Sequence, residues 1–205
     1  MSITNDAGGR KTGILRGRAA SMAVRTDFGF IGRLCLDFAQ TGDMGWGKRY
    51  ERLISPTELA RWFTLCSLEL DRMRVTRADL ARGIRLRRAI WRFAQALLDD
   101  EKPRTEDVRR LNREARRGAL VRALAANELS VHWHRPTAAA ALATIAQDAV
   151  MLFGDPQRRA RLRRCENAEC RVVFYDDSRP GTRRWCASNR CGDRIRARAY
   201  RRRHA

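Results

Sequence analysis

Residues 165–194, "CENAECRVVFYDDSRPGTRRWCASNRCGDR", contain four of the six cysteines of this 205-residue chain. The cysteines form two pairs, Cys165 with Cys170 and Cys186 with Cys191, and four residues separate the members of each pair. Two such pairs around a short hairpin are the arrangement that holds a tetrahedral zinc ion, because each pair supplies two thiolates from one turn. The spacing therefore predicts one structural Zn²⁺ bound by these four cysteines.

Other uses of paired cysteines fit this stretch less well. No secretory signal is visible in the chain, and in a reducing compartment paired cysteines are more often metal ligands or redox centres than disulfides. Iron–sulfur clusters typically use a different cysteine spacing, and redox pairs usually show C-x-x-C. Four thiolates leave no open coordination position, so the ion is expected to be structural, and its binding should supply the folding energy of so small a module.

Positive charge is concentrated in the same region. The formal net charge is +20, and residues 158–205 contain 16 arginines against five acidic residues, a net charge of +11. Guanidinium groups match phosphate geometry well, so this charge indicates a polyanionic partner, although an anionic membrane surface is also compatible with it. No apolar run of about 18 residues exists to span a bilayer. We expect a soluble, cytoplasmic protein without a membrane partner.

The segment after Cys191 predicts a short basic helix. Gly192 permits a tight turn, Asp193 is a favourable N-cap, and the helix can extend to about Arg203, with Ile195 and Ala199 toward the cysteine module. Between the cysteine pairs we expect strand, turn and strand, with Phe174 and Trp185 packed together. The arginines expected to contact phosphate are Arg183, Arg184, Arg190, Arg194, Arg196, Arg198, Arg201 and Arg202.

The preceding residues have the pattern of a mainly helical domain. Helix-start signals occur at Ser55, Thr76, Thr105 and Thr137. The helix from Thr105 is expected to turn Val108, Leu111 and Ala115 inward and to stop at Gly118. Residues 119–134 are interpreted as a hairpin, and residues 28–38 fit either a strand or a helix. Residues 1–26 lack periodicity and predict a basic disordered tail.

No catalytic constellation is visible, and we do not expect an enzyme. His132 and His134 would point to the same side of the hairpin, where a metal face is less expected than solvent-facing side chains. Cys35 and Cys66 have apolar neighbours and are interpreted as small buried side chains. The glycine-containing loop at residues 42–48 lacks the spacing of a phosphate loop. Nearby Trp46, Arg49 and Tyr50 are weak candidates for lining a ligand pocket.

Several of these motifs resemble a known pair of domains. C-x4-C at Cys165, F-x-D-x-S at residues 174–178, R-x-W-C at residues 183–186 and C-G-D-R at residues 191–194 resemble the CGNR zinc-finger family. "LCLDFAQT" (34–41) followed by "SPTELARWF" (55–63) resembles the ABATE domain that usually precedes that finger. Two positions depart from the family pattern, since Asp193 and Gln40 stand where the family has asparagine.

The resemblance implies a transcription regulator whose finger binds DNA and whose N-terminal domain senses a small-molecule effector or forms a homodimer. The expected fold is a mainly α domain with a minor β component (α+β), followed by a small treble-clef or ribbon-like zinc finger with a C-terminal basic helix. The expected boundaries are 1–26 for the tail, 27–157 for the ABATE-like domain and 158–205 for the finger. The alternative is an RNA-binding or protein-docking zinc module fused to a small-molecule-binding domain.

Overall fold

A computed structural model describes residues 28–42, 51–126 and 129–204. The helices are α1 (Leu34–Ala39), α2 (Pro56–Leu65), α3 (Arg77–Leu98), α4 (Thr105–Ala115), α5 (Ala138–Gly154), α6 (Pro156–Arg159) and α7 (Asp193–Arg203). The strands are β1 (Val121–Ala125), β2 (Ser130–His134), β3 (Leu162–Arg164) and β4 (Val173–Tyr175), and a π-turn (Ser188–Gly192) precedes α7. This confirms the expected fold class, a mainly helical chain that ends in a small finger. The predicted tail and the pocket candidates Trp46, Arg49 and Tyr50 lie outside the described residues.

Side-chain caps start three of the long helices where the sequence predicted them. The Ser55 hydroxyl accepts a hydrogen bond from the Glu58 amide at 3.2 Å. Thr76 and Asp79 form a reciprocal capping box, and the Thr137 hydroxyl accepts from the backbone of α5. Each cap satisfies an amide that the helix leaves without a partner, so these helix starts are determined locally.

Residues 28–38, which fitted either a strand or a helix, contain the short helix α1. Asp37 lies buried on this helix and accepts a hydrogen bond from the Ile31 amide at 2.5 Å. Burial raises the pKa of the Asp37 carboxyl to about 7, against the opposing effect of hydrogen bonds from the Ile31 and Gly32 amides. The Cys35 amide donates to Asp148 of α5 at 3.0 Å, which ties α1 to the centre of the domain.

The core forms around α5, which packs against α1, α3 and α4. Gly83 lies where α3 approaches this core, and a Cβ there would already touch Leu142, Leu59 and Phe38 at 3.4 Å. The same core continues without a break into the finger, where Phe174 is fully buried. The finger is therefore packed onto the helical domain and shares its hydrophobic core.

Helix α4 buries two acidic side chains that were not predicted to face inward. Leu111 is buried as expected, but Val108 is 37% exposed, so its predicted inward orientation is wrong. Asp107 and Glu114 are buried in its place, because they pair with Arg92 and Arg82 of α3 at 2.5 and 2.8 Å. Ion pairs with the neighbouring helix, which local periodicity does not record, thus set the orientation of α4.

Arg87 of α3 is a buried arginine that holds the two ends of the segment between α1 and α2. Its guanidinium binds both carboxylate oxygens of Glu51, at 2.6 and 2.5 Å, and the Thr41 carbonyl at 3.2 Å. The guanidinium lies so close to Gly42 that a Cβ at this position would overlap it. A Cβ at residue 42 would therefore force the Arg87 guanidinium to move.

Two antiparallel hairpins complete the fold. In the first, predicted at residues 119–134, Val121 pairs with His134, and both histidines of this hairpin are exposed. In the second, Leu162 of β3 pairs with Tyr175 of β4. The predicted second strand between the cysteine pairs is absent, because the backbone amide of Arg183 donates to the Asp176 carboxylate at 2.8 Å. Among the described residues, no helix is long and apolar enough to cross a bilayer.

Candidate metal centre and arginine surface

The four cysteines of residues 165–191 meet at one point. Their sulfur atoms all lie within 4.8 Å of one another. Cys186 Sγ lies 3.5 Å from Cys170 Sγ and 3.7 Å from Cys191 Sγ. A zinc ion with Zn–S bonds of about 2.3 Å places tetrahedral ligand sulfurs about 3.8 Å apart. The cluster thus has the donor atoms and spacing for one zinc ion, and no other group of three or more metal-ligating side chains occurs among the described residues.

The first cysteine pair is held by the β3–β4 hairpin. Cys165 directly follows β3, and its amide donates to the Val172 carbonyl at 2.9 Å. Between the two cysteines, buried Asn167 accepts the Cys170 amide on its backbone carbonyl at 2.7 Å and the Glu169 amide on its side chain at 3.3 Å. These bonds close a tight turn that brings both sulfurs to the same side.

The second pair is held by the π-turn at the start of α7. The amides of Cys191 and Gly192 both donate to the Ala187 carbonyl, at 3.0 and 3.2 Å. A Cβ at Gly192 would lie 3.1 Å from the Arg196 guanidinium and 3.4 Å from the Trp185 ring, so a close approach accounts for this glycine. Its backbone is helical rather than turned, and Asp193 is the first helical residue, so the predicted Asp193 N-cap is wrong.

The thiols of the cluster influence one another's ionisation. Hydrogen bonds from Cys170 and Cys186 lower the pKa of Cys165, while the neighbouring Cys165 raises the pKa of Cys170 and of Cys186. The Cys165 thiolate therefore forms readily, and ionisation of Cys170 and of Cys186 is opposed by their neighbours. A divalent cation removes that repulsion, because it favours the charged form of every ligand.

Asp176 fixes the segment that leads to the second cysteine pair. It is fully buried and accepts hydrogen bonds from the Ser178 amide, the Ser178 hydroxyl and the Arg183 amide, at 3.0, 2.6 and 2.8 Å. Burial alone would raise its pKa, but these bonds hold the pKa below its usual range. The F-x-D-x-S motif thus has a structural explanation, since its aspartate and serine close the loop after β4.

Aromatic rings in the finger pack against arginine instead of against each other. The Arg183 guanidinium lies 4.9 Å from the centre of the Phe174 ring. Arg184 and Arg196 lie 5.2 and 5.8 Å from the centre of the Trp185 ring. No ring contact joins Phe174 to Trp185 in the described part of the chain, so the predicted aromatic pair is wrong.

Ion pairs divide the eight predicted arginines into two groups. Four have a carboxylate partner within the finger: Arg183 with Asp177, Arg184 with Glu166, Arg196 with Asp193 and Arg198 with Glu169, at 2.9, 2.6, 2.5 and 2.8 Å. The other four, here called the unpaired arginines, are exposed and have no ion pair with a described residue: Arg190, Arg194, Arg201 and Arg202. The structure thus separates arginines that brace the finger from arginines available to a partner.

Three further exposed arginines of the finger that have no carboxylate partner were not in the predicted set. Arg171, Arg179 and Arg203 also lack an ion pair with any described residue. Arg203 continues the basic run of α7 and could have been identified from the sequence. Arg171 could not, because its position follows from how the first cysteine turn packs beside α3.

The finger also makes polar contacts with the helical domain. Arg164 of β3 binds Asp99 at 2.9 Å and Gln95 at 2.6 Å, both near the end of α3. Arg33, which pairs with Asp148 at 2.8 Å, also lies 5.6 Å from the centre of the Tyr175 ring of β4. These contacts surround the shared core and fix how the finger lies on the domain.

Two cysteines outside the cluster are structural. Cys35 and Cys66 are buried, as predicted. Burial raises the pKa of the Cys66 thiol to about 11 and that of Cys35 well above its usual range, so both thiols are neutral near pH 7. Neutral, buried thiols are poor nucleophiles and poor metal ligands.

A helical domain that carries a four-cysteine finger with a basic C-terminal helix defines the chain as a zinc-finger protein. The family model ABATE, described as "putative stress-induced transcription regulator", matches residues 32–156, and the CGNR zinc finger model matches residues 161–204. The chain belongs to the ABATE family and carries a CGNR zinc finger, as its motifs predicted. No curated protein matches the chain.

Proposed function

We propose that this chain is a transcription regulator that binds DNA through a zinc-stabilised finger. Cys165, Cys170, Cys186 and Cys191 are its zinc ligands. The observation that carries the proposal is the row of unpaired arginines on the π-turn and α7, directly attached to the cysteine cluster. Exposed guanidinium groups without carboxylate partners on a short helix fit the phosphates along a DNA groove.

The zinc ion has a supporting part in this proposal. It holds the first cysteine turn against the start of α7, and so it fixes the direction in which the helix presents its arginines. An α-helix of this kind fits the major groove, where base edges are readable. The N-terminal domain then has the regulatory part, through an effector or through dimerisation.

The proposal predicts a particular salt dependence of DNA binding. Each phosphate neutralised by arginine contributes about −0.9 to the slope of log K against log salt concentration. Four unpaired arginines give a slope of about −3.6, whereas all eight predicted arginines would give about −7. Because the paired arginines already have carboxylate partners, we expect the smaller slope.

The test is a selection from random duplex DNA with zinc-loaded full-length protein at near-physiological salt. It is repeated with a variant in which Arg190, Arg194, Arg201 and Arg202 are changed to alanine. The matched control changes Arg74, Arg109, Arg113 and Arg116, four exposed arginines of the N-terminal domain, and so removes the same charge elsewhere. An enriched motif that is lost in the first variant and kept in the control supports the proposal.

A second variant, with Cys186 and Cys191 changed to serine, tests the need for zinc in the same selection. Loss of the motif together with loss of bound zinc is the expected result. Equal affinity for every duplex, or a preference for structured RNA over duplex DNA, would reject sequence-specific DNA binding. The alternative of an RNA-binding module would then take its place.

A further inference from the structure

A cleft of about 500 Å³ opens between α3 and the finger. Trp91, Gln95 and Asp99 line it from α3, and Arg164 and Arg171 line it from the finger. Small-molecule sites in proteins typically have volumes of roughly 300–1,000 Å³ and lie where two structural units meet. The cleft has both properties.

Positive charge dominates the surroundings of this cleft. A neighbouring cavity of about 200 Å³ also includes Trp91 and adds Arg87, Arg88 and Arg92 to its walls. Of the five arginines in the two cavities, Arg87, Arg92 and Arg164 have carboxylate partners. Arg88 and Arg171 are exposed and have no ion pair with a described residue, so they are available to an anion.

Trp91 supplies the aromatic part of the site. Its side chain is half-buried against the core and makes no ring contact or hydrogen bond with a described residue. An indole held in place on one side and open to a cavity on the other is a stacking surface for a planar ring. An exposed indole face beside guanidinium groups favours a ligand that has both an aromatic ring and a negatively charged group.

We propose that this cleft binds a small planar aromatic anion, with its ring on Trp91 and its acidic group on Arg171, while Arg88 in the neighbouring cavity adds positive charge beside the shared Trp91. An aromatic carboxylate and a nucleotide both have this chemistry. The binding itself does not depend on the function proposed above. Its regulatory consequence does rest on that function, because a bound anion competes with Asp99 for Arg164 and thereby alters the contact between the finger and α3.

The site is tested by isothermal titration of zinc-loaded full-length protein with two probes, salicylate and adenosine 5′-monophosphate. We expect saturable binding of at least one probe, and the probe that binds distinguishes the carboxylate class from the nucleotide class. Arg171→Ala should weaken binding by about tenfold, because it removes one charge-assisted hydrogen bond. Arg88→Ala should weaken binding by a smaller factor of about threefold, because it removes a nearby positive charge without removing a hydrogen bond. Arg179→Ala, which removes an exposed finger arginine outside the cleft, should leave the affinity unchanged.

Trp91→Leu tests the stacking surface and should also weaken binding. Because Trp91 packs on the core, the folding of this variant is checked by its melting temperature, and the surface variant Arg88→Ala keeps the test decisive if Trp91→Leu fails to fold. Absence of saturable binding for both probes, or binding that Arg171→Ala and Arg88→Ala leave unchanged, would overturn the proposal.

The regulatory consequence has a separate readout. The affinity of the full chain for its selected duplex is measured with and without the probe that binds. A changed DNA affinity supports regulation through the cleft. Probe binding in a protein that selects no DNA motif would keep the ligand site and reject only the proposed function.

Discussion

Asp193 shows how a single residue can limit a binding surface. It stands where the family has asparagine, and its carboxylate binds Arg196 at 2.5 Å. The Arg196 guanidinium also lies beside the Trp185 ring. Its charge is therefore balanced by Asp193 while the ring contacts it as well. Asp193 thus accounts for one of the four predicted arginines that have a carboxylate partner in the finger.

Asp193→Asn should strengthen DNA binding by about fivefold at low salt, because it removes a negative charge beside the phosphates and releases Arg196. The slope of log K against log salt should become steeper by about 0.9. Fluorescence anisotropy with a labelled duplex measures both quantities. Asp100→Asn, at an exposed site of the N-terminal domain, is the control, and an unchanged affinity of Asp193→Asn would place Arg196 outside the interface.

Asp37 predicts a pH-dependent stability. Its pKa is about 7 in the folded chain against an ordinary value of 3.8. A raised pKa stabilises the fold fully below pH 3.8, and this contribution is lost as the pH rises to about 7. Asp37→Asn keeps an acceptor for the Ile31 amide but cannot ionise. From pH 5.5 to 8 the variant should therefore gain about 2 kcal/mol of stability relative to the wild type, which is the part of the loss that falls within this range.

Urea unfolding of zinc-saturated protein at each pH measures this difference. Comparing the two proteins at the same pH cancels the effect of pH on the cysteine cluster, which both contain. A constant difference in unfolding free energy across the range would mean that Asp37 is already ionised in the folded chain at pH 5.5. Its burial would then have less effect on its pKa than expected.

At the scale of whole elements, local signals and distant contacts determine different features. Caps at Ser55 and Thr76 act within one turn, so the starts of α2 and α3 could be predicted from the sequence. The orientation of α4 could not, because Asp107 faces inward only when Arg92 of another helix pairs with it. The cysteine spacing is a local signal of the same kind, and it predicted the cluster. The loop that takes the place of the second strand is not local, because it depends on a hydrogen bond from the Arg183 backbone amide to the buried Asp176 carboxylate.

A small substitution in the segment between α1 and α2 is expected to lower the stability of the fold considerably. Gly42→Ala places a methyl group on the Arg87 guanidinium, which must move and lose its bonds to Glu51. Breaking a buried ion pair costs about 3 kcal/mol, so thermal unfolding should show a decrease of this order. Gly154→Ala is the matched control, because nothing lies within 4 Å of its added Cβ, and it should be neutral. Equal melting temperatures for both variants would mean that Arg87 moves without cost.

Across the whole molecule, the important property is one hydrophobic core that includes residues of both the helical domain and the finger. Val173 and Phe174 of β4 belong to this core together with Leu86 and Ile90 of α3. A finger that folded by itself would keep its buried side chains within its own residues. The domain boundary expected near residue 157 remains a prediction, because the hydrophobic core contains residues from both sides of it.

Removal of zinc should consequently destabilise the entire chain. Chelation with EDTA is expected to lower the melting temperature by about 10 °C or more, in a single calorimetric transition, because zinc binding contributes to the folding of everything packed on the finger. The cysteine-to-serine variant at residues 186 and 191 should melt like the chelated protein. Two transitions, with the upper one insensitive to EDTA, would instead show that the helical domain folds independently.

The shared core has a practical meaning for building chimeras. Small domains that fold independently can be exchanged between proteins at their linkers. Here the finger packs on a surface formed by α1 and α3 of the helical domain. An exchanged finger would need the same surface in its new host, including the residues that contact Arg164 and Tyr175. Cutting at residue 160 would leave Phe174 without its neighbours, so successful hybrids should come from exchanging surface arginines on α7 within the intact chain.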